Sequence, residues 1–330
     1  MQREHYRDFS QALVHWFREN GKDYPWRRTT DPWAILVSEI MLQQTTIPTV
    51  LGRYEAWMQQ FPTPAALAEA DEATALRSWE GLGYYRRVRA LKDAASIITE
   101  QYGGVFPTEK SAIRALPGIG DYTVGAVLSF AYNRPAPLVD ANVSRVFARV
   151  FNDSTPVDSP AGRKKHWLLA AELVDRENPR AYNSALMELG QSICTADKPT
   201  CLICPVRDLC TAVTPSELPI KLPKKEICHI EHHDLWCVTE QGLLMEKQPN
   251  GKRHEGLYRL PQRPQNEVDK KALLSTQKYS VTRYKVTRYL YAAPSALPKG
   301  TEEFIPFSQL PHTPMASPDR KIINQMLCKA

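Results

Sequence analysis

The sequence predicts two domains, a mainly α N-terminal domain and an α+β C-terminal domain. The chain has 330 residues, which is about twice the length of a typical domain. From residue 5 to about 190, apolar residues recur every three to four positions, as they do in packed helices. The composition then turns rich in proline and lysine, and after that in β-branched and aromatic residues. We therefore assign 1–213 to the first domain, 214–227 to a linker and 228–330 to the second domain.

Turn signals delimit the elements within each domain. The helical segments are separated by the short breaks NGKDYP, YGGVFPT, LPGIGD and NDSTPVDSP. In the second domain, LWCVTEQGLLMEK predicts a strand pair around Gln241-Gly242, and YSVTRYKVTRYLYAAP predicts further strands. The final segment, ASPDRKIINQMLCKA, predicts a helix.

Charge and hydropathy restrict the functional classes. The net charge of +6 favours a polyanionic partner, although many proteins with other roles are as basic. No run of 18 apolar residues occurs, and the start of the chain lacks the apolar core of a secretion signal. We expect no membrane association, and a monomer in the cytoplasm that is associated with the nucleoid.

Four of the seven cysteines lie within one short stretch, CTADKPTCLICPVRDLC. In a reducing compartment such a cluster indicates metal ligation rather than disulfides. Four thiolates suit either a tetrahedral zinc ion or an iron–sulfur cluster, and the softness of the ligands does not decide between them. The predicted ligands, spaced C-x6-C-x2-C-x5-C, are Cys194, Cys201, Cys204 and Cys210.

The cysteine loop at 194–210, preceded by ALMELGQSIC, resembles the [4Fe-4S] loop of the endonuclease III superfamily of DNA glycosylases. The resemblance implies iron rather than zinc, in a structural role.

Within 110–132, LPGIGDYTVGAVLSFA carries Gly118 and Gly120 between two helical patterns. Glycines there permit a tight turn and a close backbone approach to a phosphate. A plain helix–helix turn would also explain them, but the pattern is similar to the superfamily's helix-hairpin-helix.

Two further segments suit an enzyme that extrudes a base from DNA and fills the gap with a side chain. Gln44 of MLQQTT and Tyr84 of GLGYYRRVRAL are the candidates, and the arginines that follow Tyr84 are available for phosphates. The alternative is a solvated basic helix with a core tyrosine.

Two carboxylates stand in unusual positions. Glu39 interrupts the apolar run WAILVSEIML, so its burial should raise its pKa and suit it to donate a proton. The alternative is a structural salt bridge, with Arg27 as its partner. Asp140 precedes NVSRVFARV and could stabilise a cationic sugar, or it could simply cap that helix.

Together, PWR, SEIMLQQT, GLGYYRR, LPGIGDYTVGAVLS, VDANV and the four cysteines resemble MutY-type adenine DNA glycosylases over residues 24–210. The resemblance implies that Glu39 protonates adenine and that Asp140, assisted by Asn142, stabilises the sugar cation. Tyr122 stands where bifunctional relatives carry a Schiff-base lysine, which implies base excision without strand cleavage. The implied substrate is double-stranded DNA with adenine mispaired with 8-oxoguanine or guanine. The implied DNA and substrate contacts are Arg27, Gln44, Thr45, Tyr84, Arg87, Gly118, Gly120, Ser184, Thr282 and Arg283.

The chain departs from the family pattern in three places. It reads VDAN where VDGN is usual, and Asn183-Ser184 where glutamate or glutamine is usual beside the adenine pocket. EGLYRLP resembles GLW-x-FP of the family's Nudix-like opposite-base recognition domain, which implies that fold for 228–330. There, however, Val281-Thr282-Arg283 replaces Phe-Ser-His. Two alternatives therefore stay open: a glycosylase with shifted opposite-base or target-base preference, and a non-catalytic DNA-binding iron–sulfur protein. Retention of both Glu39 and Asp140 argues against the second.

Overall fold

The computed structural model describes residues 2–223, 226–249, 251 and 254–328. Lys224 and Lys225 of the predicted linker lie outside the described residues. The chain forms two compact units, one of Met1–Ala68 with Ala90–Pro223 and the other of Glu69–Arg89 with Lys224–Ala330. Glu69–Arg89 was assigned to the first domain by sequence, but it packs as part of the second unit.

Helices dominate the chain as far as the cysteine loop, which confirms the mainly α prediction. Proline occupies the first turn of several of them, where its missing N–H costs no hydrogen bond. The helices are α1 (Gln2–Asn20), α2 (Pro32–Leu42), α3 (Ile47–Gln60), α4 (Pro64–Glu69), α5 (Glu72–Ser78), α6 (Arg86–Tyr102), α7 (Lys110–Ala115), α8 (Asp121–Phe130), α9 (Ala141–Val150), α10 (Pro160–Leu173) and α11 (Pro179–Ser192).

The core of the first unit lies between α1, α8, α9, α10 and α11. Phe9, Leu13, Phe147, Leu186 and Leu189 are among the fully buried side chains that fill it. Burial of such side chains stabilises by roughly 1.5–3 kcal/mol each. α2 is buried along almost its whole length, because its residues are apolar on every side.

Helices α7 and α8 form the predicted helix-hairpin-helix. Gly118 in the connecting turn has φ +73°, and a Cβ atom there would lie 2.7 Å from the Cβ of Ala90, so glycine is required. Arg114 closes the hairpin, since its Nε donates to Asp121 at 2.9 Å and its Nη1 donates to the carbonyl of Ile119 at 2.8 Å. Gly120 is the N-cap of α8 and leaves the helix N-terminus open.

The second unit contains two small sheets and a final helix, which confirms the α+β prediction. The elements are β1 (Cys228–Trp236), β2 (Val238–Thr239), β3 (Gly242–Lys247), β4 (Tyr258–Arg259), β5 (Leu273–Val281), β6 (Tyr284–Ala292), β7 (Glu302–Ile305) and α12 (Ser317–Leu327). One sheet has the order β1-β6-β5, with β1 and β6 parallel and β5 and β6 antiparallel. In the other, β3 pairs with β2, β4 and β7. In the described part of the chain, no helix is long and apolar enough to cross a membrane.

Candidate active site

Glu39 lies on the buried helix α2 and is 4% exposed. Asp31 caps this helix by accepting from the N–H groups of Trp33 and Ala34, so the apolar run begins as a helix directly after Pro32. Because the helix is apolar all round, its folding carries the carboxyl into the interior. Burial raises the pKa of Glu39 to about 7, although a hydrogen bond from Tyr122 opposes this rise. Oxygen Oε2 has no hydrogen-bond partner among the described residues.

Tyr122, in the first turn of α8, holds the Glu39 carboxyl. Its hydroxyl forms a hydrogen bond with Glu39 and lies 3.6 Å from the sulfur of Met187. Burial, and then the charges of Glu39 and Asp140, keep the pKa of Tyr122 well above its ordinary value. The phenol therefore stays protonated and acts as a donor.

Asp140 is both a helix cap and a member of this group. Its Oδ1 accepts from the N–H of Val143 at 2.7 Å, which caps α9, and its Oδ2 accepts from the side chain of Asn142 at 3.0 Å. Burial raises the pKa of Asp140, while the hydrogen bonds from Val143 and Asn142 oppose the rise. The two sequence interpretations of Asp140 are therefore compatible.

Arg145 connects this site to the cysteine loop, and sequence reasoning missed it. Its Nη2 donates to Asn142 at 2.8 Å and to the carbonyl of Gly190 at 2.6 Å, and its Nε donates to the carbonyl of Cys194 at 2.8 Å. A continuous chain of hydrogen bonds thus runs from Asp140 to the first predicted metal ligand. The signal available in the sequence was an arginine in the apolar pattern VSRVFARV.

The four predicted ligand cysteines line one cavity of about 260 Å³. None of them is in a disulfide. Arg149, also missed by sequence reasoning, is fully buried beside them and donates to the carbonyl of Thr195 at 2.6 Å and to the sulfur of Cys194 at 3.4 Å. Burial raises the pKa of the Cys204 thiol to about 11. Arg149 thus holds Cys194, the first predicted ligand residue, at the wall of the cavity.

The donor set and the cavity fit a multi-iron cluster. The four cysteine side chains line one cavity and none is in a disulfide, so the residues present can supply four thiolates to such a group.

A cleft opens beside Glu39 and is lined in part by Trp26, Leu42, Ser184, Met187 and Gln191. Its free volume of about 40 Å³ is small, but it adjoins a cavity of about 380 Å³ that also contacts Arg27, Arg180 and Ser184. Ser184 therefore lines both the cleft beside Glu39 and the larger cavity.

Asn183, the neighbour of Ser184, faces away from the cleft. Its amide donates to Ser129 at 2.8 Å and to the carbonyl of Ala136 at 3.0 Å, and it is fully buried. Of the Asn183-Ser184 pair, only the serine lines the cleft.

Arg27 does not pair with Glu39, so the structural salt bridge considered from the sequence is wrong. Its Nη1 lies 2.7 Å from Glu188, a buried carboxylate on α11. Its charge affects Glu39 only as a small lowering influence on the pKa. Arg27 lines the cleft while its guanidinium is held by Glu188.

Three of the predicted DNA-contacting residues have left-handed backbones: Gln44 (φ +55°), Tyr84 (φ +47°) and Thr282 (φ +55°). Among the described non-glycine residues with positive φ, the other two are asparagines, which tolerate this conformation. Such strain costs of order 1–3 kcal/mol per residue and concentrates at functional sites. Gln44 and Tyr84 are exposed, and Thr45 beside Gln44 is half-buried.

Arg87, expected to contact phosphate, is buried and used internally. Its Nη2 donates to the carbonyls of Leu82 and Gly83 at 2.8 and 3.1 Å, and burial lowers its pKa to about 10. The expectation for Arg87 is therefore corrected. Arg283, by contrast, is exposed in the two-residue turn between β5 and β6, with its guanidinium over the ring of Tyr284.

Residues 37–167 match the family described as HhH-GPD superfamily base excision DNA repair protein, and the chain belongs to that family. It is 40% identical over 213 residues to the adenine DNA glycosylase of Homo sapiens, covering 62% of this chain and 39% of the human protein. It is 41% identical over 195 residues to the adenine DNA glycosylase of Mycobacterium tuberculosis, covering 59% of this chain and 64% of the mycobacterial protein. The chain thus spans less than two thirds of these relatives' lengths.

Two solved structures show the same fold. A thermostable thymine-DNA glycosylase matches with 31% identity and a TM-score of 0.59, over 63% of this chain and 96% of that chain. Endonuclease III in a trapped covalent complex with DNA matches with 20% identity and a TM-score of 0.54, over 64% of this chain and 96% of that chain.

Proposed function

We propose that this protein is a monofunctional DNA glycosylase, which hydrolyses the N-glycosidic bond of adenine mispaired with 8-oxoguanine or guanine in double-stranded DNA. The observation that carries the proposal is the buried carboxyl of Glu39, with a pKa of about 7, beside Tyr122 and Asp140 at a cleft. The names of the relatives at about 40% identity support adenine as the target.

Glu39 donates the proton that makes adenine a neutral leaving group. With a pKa of about 7, a large fraction of the protein carries this proton at neutral pH, which is optimal for general acid catalysis. Tyr122 fixes the carboxyl through its hydrogen bond, and Oε2, which has no hydrogen-bond partner in the part of the chain that the structure describes, is the oxygen proposed to carry the proton to the base. Once deprotonated, Glu39 can orient a water for attack on the sugar.

Asp140 stabilises the positive charge that develops on the sugar in the oxocarbenium-like transition state. Its hydrogen bonds from Val143 and Asn142, and its place at the N-terminus of α9, favour the ionised form. Glu39 lacks such a set of donors, so the two carboxyls are suited to opposite protonation states.

Strand cleavage by a Schiff base is not part of the proposed reaction. Among the described residues that line the Glu39 cleft, none is a lysine. Tyr122 stands on α8 at the position where the resemblance places the lysine of bifunctional relatives, and here it forms a hydrogen bond with the Glu39 carboxyl.

Binding of DNA is proposed at the helix-hairpin-helix and at the strained residues. Gly120 leaves the N-terminus of α8 open to a phosphate, and Gln44 and Tyr84 are exposed for insertion into the duplex. Thr282 and Arg283 would meet DNA from the second unit. We propose that the protein acts as a monomer on DNA in the cytoplasm.

A [4Fe-4S] cluster held by Cys194, Cys201, Cys204 and Cys210 is also part of the proposal. When bound, it would cross-link the loop covalently. It takes no part in the excision step, and Arg145 and Arg149 join its loop to α9.

A shifted target base is the second candidate function. Ser184 is a short side chain at the wall of the cleft, and it adjoins the larger cavity beyond. A different or larger base could therefore be accommodated there.

Excision assays on duplexes with adenine opposite 8-oxoguanine, guanine, cytosine and thymine, together with thymine opposite guanine, test these functions. We expect the wild type to release adenine opposite 8-oxoguanine and opposite guanine, and the DNA strand to break only after treatment with alkali. The variant Glu39→Gln should release no adenine. Release of thymine instead would establish the second candidate. Binding without release of any base would show a non-catalytic protein.

A further inference from the structure

The loop that carries Tyr84, residues 80–85, connects α5 to α6, and its backbone is strained at Tyr84 itself. Gly81 (φ +95°), Gly83 (φ +70°) and Tyr84 (φ +47°) all have positive φ, which the two glycines adopt freely and which is strained only for Tyr84. Strain of this kind persists only where surrounding contacts over-determine the backbone. We call this segment the Tyr84 loop.

Local hydrogen bonds hold part of the Tyr84 loop. The indole N–H of Trp79 donates to the carbonyl of Gly83 at 3.0 Å, and Arg87 donates to the carbonyls of Leu82 and Gly83. The Arg87 guanidinium also lies over the rings of Trp79 and Tyr84. These contacts arise from residues adjacent in sequence.

A second set of contacts comes from the C-terminal end of the chain. Glu80 is buried, and its two oxygens accept from Arg320 on α12 at 2.9 and 3.1 Å. Arg320 in turn donates to the carbonyls of Leu310 and Thr313 at 2.6 and 2.7 Å. A bidentate arginine–carboxylate pair of this kind fixes geometry as well as charge.

Tyr85, directly after Tyr84, is fixed in the same way. Its hydroxyl donates to the carbonyl of Met315 at 2.9 Å, and the side chain is 4% exposed. Before the loop, the Nε of Arg77 donates to the carbonyl of Pro311 at 2.7 Å. Both ends of the Tyr84 loop are thus tied to residues 310–320, within the second unit.

We propose that Glu80, Arg320 and Tyr85 are positioning residues, through which the C-terminal part of the chain holds Tyr84 in the conformation that enters DNA. This inference rests on the proposed function, since it assumes that Tyr84 fills the duplex. It assigns the second unit a role in base extrusion, separate from any reading of the opposite base. Without the clamp, the loop would relax toward unstrained backbone and Tyr84 would lose its orientation.

A double-mutant cycle tests the clamp in the full chain. Affinity for a duplex with adenine opposite 8-oxoguanine is measured for Tyr84→Ala, Arg320→Leu and their combination, each in a Glu39→Gln background so that the base is retained. We expect each single change to weaken binding by roughly tenfold to a hundredfold. The double variant should bind no more weakly than Tyr84→Ala alone, because Arg320 acts through Tyr84. Additive effects would overturn the inference.

The control is Arg263→Leu, which breaks a bidentate pair with Glu302 at 2.5 and 2.8 Å in the same unit without contacting the loop. It should leave affinity within about twofold and remain additive with Tyr84→Ala. An Arg263→Leu defect as large as that of Arg320→Leu would indicate general destabilisation and contradict the clamp.

Hydrogen exchange of residues 80–85 gives a readout that does not depend on activity. Arg320→Leu and Glu80→Gln should speed exchange there, whereas Arg263→Leu should not. Should Arg320→Leu fail to fold, Arg320→Lys keeps the charge but loses the bidentate geometry, and it should show the same loosening. Unchanged exchange refutes the clamp. If wild type excises adenine but Tyr84→Ala binds normally, the inference fails while the glycosylase assignment stands.

Discussion

Replacing Glu39 with glutamine should stabilise the protein at alkaline pH while abolishing excision. The pKa of the buried carboxyl is raised from 4.5 to about 7, so the folded state binds its proton more tightly than the unfolded state does. Stability from this group is therefore fully present below pH 4.5 and is lost as pH rises through 7. Glutamine keeps the shape of the side chain and does not titrate, so the variant escapes this loss.

The magnitude follows from the two pKa values. They differ by about 2.5, and each pKa unit corresponds to about 1.4 kcal/mol, so the ionised carboxylate costs about 3.5 kcal/mol of unfolding free energy above pH 8. This is a large part of the 5–15 kcal/mol that is typical of whole domains. Burial of the Glu39 carboxyl therefore lowers the unfolding free energy of the protein at alkaline pH.

Urea unfolding at pH 5 and pH 8.5, followed by helical circular dichroism, provides the assay. At pH 5 the carboxyl of the unfolded chain is already mostly ionised, so the full cost does not develop between the two pH values. The difference in unfolding free energy between Glu39→Gln and wild type should therefore grow by about 2.5 kcal/mol between them. Glu100→Gln, on the exposed side of α6, is the matched control and should show no such growth. If Glu39→Gln gains nothing at pH 8.5 relative to pH 5, the reasoning from burial is refuted.

Further predictions concern the chemistry, the metal and the DNA contacts. Single-turnover excision should fall about tenfold per pH unit above pH 7, as Glu39 loses its proton, and a flat profile to pH 9 would exclude it as the acid. Asp140→Asn should lower that rate by orders of magnitude while preserving DNA affinity, as gel-shift titration can check. Anaerobically purified protein should be yellow-brown with about four irons per chain, whereas one zinc and no visible absorbance would contradict the cluster. Preference for adenine opposite 8-oxoguanine over guanine should persist but be weak, and Arg283→Ala should reduce the salt slope of binding by about one if that residue meets a phosphate.

Sequence patterns predicted those parts of the molecule that depend on local order. The helical periodicity, the hairpin turn at Gly118 and the burial of Glu39 all follow from residues within one or two turns of each other, and the structure agrees with them. The cysteine spacing likewise brought four thiols to one cavity.

The hydrogen-bond partners of arginine side chains were predicted poorly. A guanidinium can bind any carboxylate or carbonyl that the fold brings near it, however distant in sequence. Arg27 bonds Glu188, which lies 161 positions away, rather than Glu39. Arg320 bonds Glu80 across 240 positions, and no periodicity in either segment indicates that pairing. Arg87 was expected at the surface, yet it turns inward to its own loop.

The cap at the start of α9 has a consequence for how damaging variants would be recognised. Aspartate, asparagine and serine cap helices about equally well, so the cap at position 140 survives exchange among them. Only aspartate brings the negative charge that the proposed reaction requires beside the sugar. A change from Asp140 to asparagine or serine would therefore yield protein of normal abundance and melting temperature that repairs nothing. Surveys that sort variants by expression or thermal stability would classify it as harmless, and only a repair assay would reveal the loss.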